Sequence, residues 1–146
     1  MEHNRNDDFD PTPGDDAVRA LLLGMRRVAV VGISENPERA SHGIARFLIG
    51  KGLEVAGVNP QLREVLGAPV YPTLADVPGP IDVVDVFRRS EAVPAIVDEA
   101  IAAGARAVWL QEGVVHAEAS RKAVAAGLVV VADRCIYKEW LRLANI

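Results

Sequence analysis

Five polar clusters interrupt the apolar runs of this chain: Gly32-Ile33-Ser34, Asn59-Pro60, Arg88-Arg89-Ser90, Gln111-Glu112-Gly113 and Asp133-Arg134-Cys135. Gly32 lets the backbone of a turn approach a ligand closely. A helix starting near Ser41 would then offer unpaired N–H groups and the positive end of its dipole to a phosphate. Arg39 lies in the intervening loop, Arg63 just past Asn59-Pro60, and Arg88-Arg89 at a third cluster. Thirteen of the 16 Lys and Arg residues are Arg, whose planar fork matches phosphate oxygens. Together these groups suit a ligand carrying a pyrophosphate and one further phosphate. Taken singly, each arginine is equally consistent with solvated surface, and the Gly32 turn with a purely structural corner.

A nicotinamide dinucleotide is the first alternative, and the residues argue against it. The Gly-x-Gly-x-x-Gly fingerprint is absent, because the next glycine after Gly32 is Gly43 and the loop between contains Pro37. Asn59 stands where an NAD site wants an acid for the ribose hydroxyls. Candidate catalytic groups are sparse. Cys135 could be a thiolate nucleophile, but no histidine is near it in sequence, and it reads as a buried corner residue; a mixed disulfide with a cofactor thiol is a further alternative. Glu112 could act as a base, yet no second group accompanies it, so an orienting role is expected.

The clusters fall where elements end. Apolar β-branched runs alternate with helical patterns closed by glycine, as in a parallel sheet covered on both faces. Strands are expected at 27–33, 53–58, 81–87, 105–110 and 128–132, with a short extended piece near 69–71. Helices are expected from Asp15 or Asp16, over 41–51 with Ser41 as cap, from Ser90 to about 103, over 117–126 and over 136–144. Five main strands joined by right-handed crossovers make a doubly wound α/β domain, mostly parallel, with helices on both faces. Its ligands bind outside the carboxyl ends of the strands, where the polar clusters fall.

The 146 residues suit one domain, here 15–146, preceded by an acidic arm over 1–14 that is too polar to offset its ordering entropy and is expected to be disordered. Residues 1–16 hold six acids and one arginine, a charge of −5; against the chain total of −4, the rest carries +1. So neutral a body argues against nucleic-acid binding. One cysteine allows neither an internal disulfide nor a thiolate zinc cage. No apolar run approaches the roughly 18 residues of a membrane span, and the polar N-terminus is unlike a signal peptide. A cytoplasmic protein is expected.

Several segments taken in order carry a resemblance. Val28 to Ser34 with Asn36-Pro37, Arg39 and Ser41, then Val58-Asn59-Pro60, Tyr71-Pro72 with Leu74, Asp82 to Arg89, Ala107 to Gly113, and Asp133-Arg134-Cys135 resemble the motifs of the small bacterial CoA-binding proteins. These are similar in turn to the Rossmann-type N-terminal domain of the succinyl-CoA synthetase alpha subunit. The resemblance implies coenzyme A or an acyl-CoA as ligand. Gly32, Ile33 and Ser34 would line the pyrophosphate turn with Arg39 and Ser41 at its phosphates, and Asn59 and Pro60 would border the nucleotide. Phe87, Arg88 and Arg89 would flank adenine or pantetheine, with Gln111 and Glu112 on the next rim. The synthetase continues into a domain with a phosphorylated histidine, whereas this chain ends at Ile146, and His3, His42 and His116 offer no substitute. The expected role is therefore binding without self-contained catalysis. An NAD(P) oxidoreductase, a CoA-site subunit of a partner ligase and a ligand-free interaction module are the alternatives, and a homodimer is left open.

Overall fold

A computed structural model describes residues 9–145. The elements run α1 (Asp15–Gly24), β1 (Arg27–Val31), α2 (Ala40–Gly50), β2 (Glu54–Val58), β3 (Glu64–Val65), β4 (Ala68–Tyr71), β5 (Val83–Val86), α3 (Val93–Ala102), β6 (Ala107–Leu110), α4 (Ala117–Ala125), β7 (Val129–Val131) and α5 (Ile136–Glu139). The last helix continues as a π turn over Trp140–Ala144.

The strands form one seven-stranded sheet in the order β3-β4-β2-β1-β5-β6-β7. All neighbours are parallel except β3 and β4, which pair antiparallel at the edge. From β1 the chain moves outward through β2 to β4, then returns to place β5 on β1's other side. The order therefore reverses between β1 and β5, and the fold is a doubly wound, Rossmann-like sheet. Two short strands, β3 and β4, extend the expected five. β4 includes the extended piece anticipated at 69–71, whereas two-residue β3 is too short to show a periodic signal.

Both faces of the sheet are buried, which is why its strands read as continuous apolar runs. Ala29, Val31, Val84, Val86, Val108 and Leu110 face α3 and α4. Val28, Val30, Val83, Trp109 and Val131 face α1, α2 and the last helix. Each fully buried Val or Leu contributes about 1.5–3 kcal/mol. On the second face the alternation places Asp85, fully buried, with neither carboxylate oxygen hydrogen-bonded. Burial pushes its carboxyl well above the ordinary aspartate range and so favours the protonated form.

The helix starts differ from expectation in how they are capped. Gly14 occupies the N-cap of α1, and Asp15 instead pairs with Arg142 at 2.9 Å. Arg39 occupies the N-cap of α2 without a side-chain bond, and Ser41 is the second residue of the helix. Ser90 opens a short 3-10 turn before α3, and its Oγ accepts from the Val115 N–H at 3.0 Å. The hydroxyls are used to tie loops together. Of the arm, residues 1–8 lie outside the described residues; Phe9 stacks beneath the Arg121 guanidinium, 4.4 Å away, and Thr12 Oγ accepts from the Ala132 N–H at 3.0 Å.

Candidate functional site

A cleft of about 880 Å³ opens at the carboxyl ends of β1, β5 and β6, where the strand order reverses. This volume falls in the range of about 300–1,000 Å³ common to small-molecule sites. Gly32 sits at its centre with φ +87°. A β-carbon there would stand 2.5 Å from the Phe87 carbonyl oxygen and 2.9 Å from Arg88 Cδ, so only glycine lets the two strand ends meet. The Gly32 N–H donates to the Val58 carbonyl at 2.9 Å, which fixes the turn against β2.

The loop from Ile33 to Arg39 is held by its own short polar side chains. Ser34 N–H donates to Ser41 Oγ, Asn36 N–H to Ser34 Oγ and Glu38 N–H to Asn36 Oδ1, each at 3.0 Å. Asn59 locks the loop from the other side: its Nδ2 donates to the Ile33 carbonyl at 2.9 Å and its Oδ1 accepts from the Gln61 N–H at 2.8 Å. Each end of the amide makes one such bond, so Asn59 shapes the wall of the cleft. α2 has no acid in its first turn, and its first N–H groups lack helical acceptors, as in any first turn.

The far wall is built by the ends of β5, β6 and β7. Arg88 and Arg89 are exposed, as is Arg39 opposite, and none of the three makes a side-chain bond or ion pair among the described residues. Gln111 is only 7% exposed; its Oε1 accepts from the Ile136 N–H at 3.2 Å. Glu112 forms an ion pair with Lys138 at 3.1 Å. Bonding to this carboxylate keeps the Lys138 ammonium above its ordinary value. Gly113, at φ +84°, donates its N–H to Asp133 Oδ1 at 2.7 Å.

Of the residues singled out from the sequence, Gly32, Ile33, Ser34, Arg39, Ser41, Asn59, Phe87, Arg88, Arg89, Gln111 and Glu112 all line this one cleft. Pro60 is exposed beside it and does not line it, and Arg63 also lies outside. The cleft adds a wall that sequence reasoning passed over, Ile44 and Phe47 from α2 with Tyr137, and it includes Cys135 from the fifth polar cluster. The spacing of Ala40, Gly43, Ile44 and Phe47 is one helical stripe, a signal that was present in the sequence. Cys135, read as a buried corner residue, is instead partly exposed. Phe47 meets Tyr137 edge to face, with ring centroids 4.8 Å apart.

Among the described residues, no helix is long and apolar enough to cross a membrane. The profile of the CoA binding domain family matches residues 26–140. The uncharacterized protein YneT of Bacillus subtilis is 37% identical over 124 residues, spanning 85% of this chain and 92% of YneT. A hypothetical protein from Pyrococcus horikoshii OT3 has the same fold at a TM-score of 0.89 and 38% identity, with 99% of this chain and 100% of that one covered. An ADP-forming acetate–CoA ligase of Archaeoglobus fulgidus is 27% identical over 119 residues, 75% of this chain but only 17% of the ligase. The match over 26–140 takes in every strand and all the lining residues of the cleft, and the chain belongs to the CoA-binding domain family.

Proposed function

We propose that the cleft binds coenzyme A or an acyl-CoA. The adenosine lies toward Asn59 and Pro60, the pyrophosphate lies on the Gly32–Ser34 turn and the start of α2, and the pantetheine arm runs past Phe87 toward Gln111. The observation that carries this reading is that Arg39, Arg88 and Arg89, none of them bonded through its side chain among the described residues, line one cleft with a glycine turn that no side chain can fill. Free forks beside open backbone N–H groups suit a ligand with three phosphates. Family membership supports the same ligand class.

The role is binding, without catalysis of its own. The Ser34 and Ser41 hydroxyls and the Asn59 amide are bonded within the loop, and Glu112 is paired with Lys138. A protein of this kind senses, stores or presents its ligand, in the cytoplasm on the sequence reading.

Calorimetric titration of ligand-stripped protein tests the assignment. CoA and acetyl-CoA are expected to bind at micromolar strength, and dephospho-CoA about 10–100-fold more weakly, the worth of one charge-assisted contact. NAD and NADPH are expected not to bind. The double variant Arg39→Ala/Arg88→Ala should lose about 100-fold or more in CoA affinity with its unfolding midpoint little changed. Unchanged affinity would overturn the site, and preferential NAD(P) binding would overturn the ligand. Acetyl-CoA incubated with the protein should release thiol no faster than in buffer.

A further inference from the structure

The groups that line the cleft are sorted by kind. Charge gathers where α2 begins and just past β5, at Arg39, Arg88 and Arg89. From there a stripe without charge follows α2 through Ala40, Gly43 and Ile44 to Phe47. At about 1.5 Å of rise per residue, Ala40 to Phe47 covers about 10 Å of helix, so the stripe leads well away from the arginine end. Tyr137 of the last helix closes it from the other side, edge to face against Phe47 with ring centroids 4.8 Å apart.

This trough is open on both of its sides. Gly43 is exposed, and no atom lies within 4 Å of a β-carbon added there. Glycine is a poor helix residue, and no neighbour in the protein requires one at this position; the missing side chain is room in the cleft that Gly43 lines. On the opposite side Tyr137 leaves 41% of its surface to solvent. An exposed aromatic ring continuous with a cleft is apolar area that a ligand can remove from water. The two lysines of this region are both engaged, Lys51 over the Phe47 and Trp140 rings and Lys138 with Glu112. A ligand group placed here therefore meets rings and aliphatic carbon, and a carboxylate would lose its water without a free partner.

The occupant follows from where the bound ligand ends. The pantetheine arm runs past Phe87 toward Gln111, and the Gln111 Oε1 accepts from the Ile136 N–H at 3.2 Å. The arm thus finishes at the start of the last helix, and Tyr137 is the next residue along. Whatever a thioester carries beyond its sulfur enters the trough. We propose that the trough between α2 and the last helix is an acyl subsite for a straight aliphatic chain of several carbons, with Gly43, Ile44, Phe47 and Tyr137 setting the specificity; this rests on the CoA reading above. The protein then prefers medium-chain acyl-CoA thioesters to free CoA, to acetyl-CoA and to acyl-CoA with a terminal carboxylate.

The test is calorimetric titration of ligand-stripped protein at moderate salt with CoA and with acetyl-, butyryl- and hexanoyl-CoA, and with succinyl-CoA as the charged counterpart of butyryl-CoA. Each methylene taken out of water should tighten binding by about two- to fourfold. Hexanoyl-CoA is therefore expected to bind about tenfold or more tightly than acetyl-CoA, with a heat capacity of binding that grows more negative along the series. Succinyl-CoA should gain nothing over acetyl-CoA. Tyr137→Asp, a change at an exposed position, should abolish the gain with chain length and keep free-CoA affinity within about threefold, because salt screens the new charge from the phosphates. Equal affinities for acetyl- and hexanoyl-CoA, or a gain that persists in Tyr137→Asp, would overturn the proposal. So would adenosine bisphosphate alone changing tryptophan emission as fully as hexanoyl-CoA, which would put adenine against the aromatic wall. The free-CoA titration separates the two readings. CoA binding with no dependence on the acyl chain removes only the acyl subsite, whereas absence of binding by CoA and by every thioester removes the cleft assignment and the subsite together.

Discussion

The two halves of the cleft are built on opposite principles. On the side of β1, β2 and α2, nearly every polar group is bonded to another part of the protein: Gly32 to Val58, Ser34 to Ser41, and Asn59 to both Ile33 and Gln61. On the side of β5, β6 and β7, Arg88, Arg89 and the Gln111 amide nitrogen keep their donors open, and Cys135 is accessible. The first half is a mould whose shape is set before any ligand arrives. The second supplies groups that a ligand must satisfy. Substitutions of the bonded groups in the first half should therefore act through stability, and those of the open groups, Arg88 and Arg89 with Arg39 across from them, through affinity.

Gly32→Ala is the severest way to break the mould. It forces a side chain into a left-handed backbone position and against the Phe87 carbonyl, and should cost about 3 kcal/mol or more, measured by denaturant unfolding. Asp85, under the second half, should respond in the opposite sense. Replacing this unbonded buried acid by leucine, Asp85→Leu, is expected to stabilise the protein at neutral pH by about 1–3 kcal/mol. The sign of its pH dependence follows from burial, which raises the folded carboxyl's pKa above the unfolded one. The unfolded chain then releases a proton that the folded chain keeps. This contribution is complete below the ordinary aspartate range and is lost as pH rises above it, until the folded carboxyl also ionises. Asp85→Leu should flatten that slope in unfolding curves taken at a series of pH values.

Asn59→Ala leaves the Ile33 carbonyl and the Gln61 N–H without their partners and should cost about 1–2 kcal/mol in thermal or denaturant unfolding. If it instead abolished CoA binding at unchanged stability, Asn59 would belong with the recognition groups and the division between the halves would fail. Gly113→Ala should have an effect no larger than that of Asn59→Ala and well below that of Gly32→Ala. Its φ is as positive as that of Gly32, but nothing lies within 4 Å of an added β-carbon, so only the backbone strain of about 1–2 kcal/mol applies.

Much of this architecture could be read from the chain because burial on both faces leaves a simple mark. A run such as Val28-Ala29-Val30-Val31 has no polar alternation, so the first polar residues after it mark the rim, and this reading placed Ser34, Asn59, Arg88 and Gln111 around one cleft. What escaped depends on contacts distant in sequence. Ser41 looks like a helix cap and is taken instead by the Ser34 N–H; Thr12 meets Ala132 across 120 residues. Phe47 and Tyr137 read as ordinary apolar positions until α2 and the last helix bring them together. The two-residue strand β3 is set by its pairing with β4 rather than by its own pattern.

The two tryptophans divide along similar lines. Trp109 is fully buried within β6, with its indole N–H fixed on the Arg134 carbonyl at 2.8 Å, while Trp140 is partly exposed, with Phe47 and Lys51 each about 6 Å from its ring. One indole is a rigid, water-free emitter whose spectrum reports the integrity of the sheet. The other lies behind the aromatic wall of the cleft, where an arriving ligand alters its surroundings. The molecule thus carries two indole fluorophores, one for global unfolding and one for occupancy, and a single tryptophan emission spectrum followed during titration can distinguish loss of structure from filling of the site.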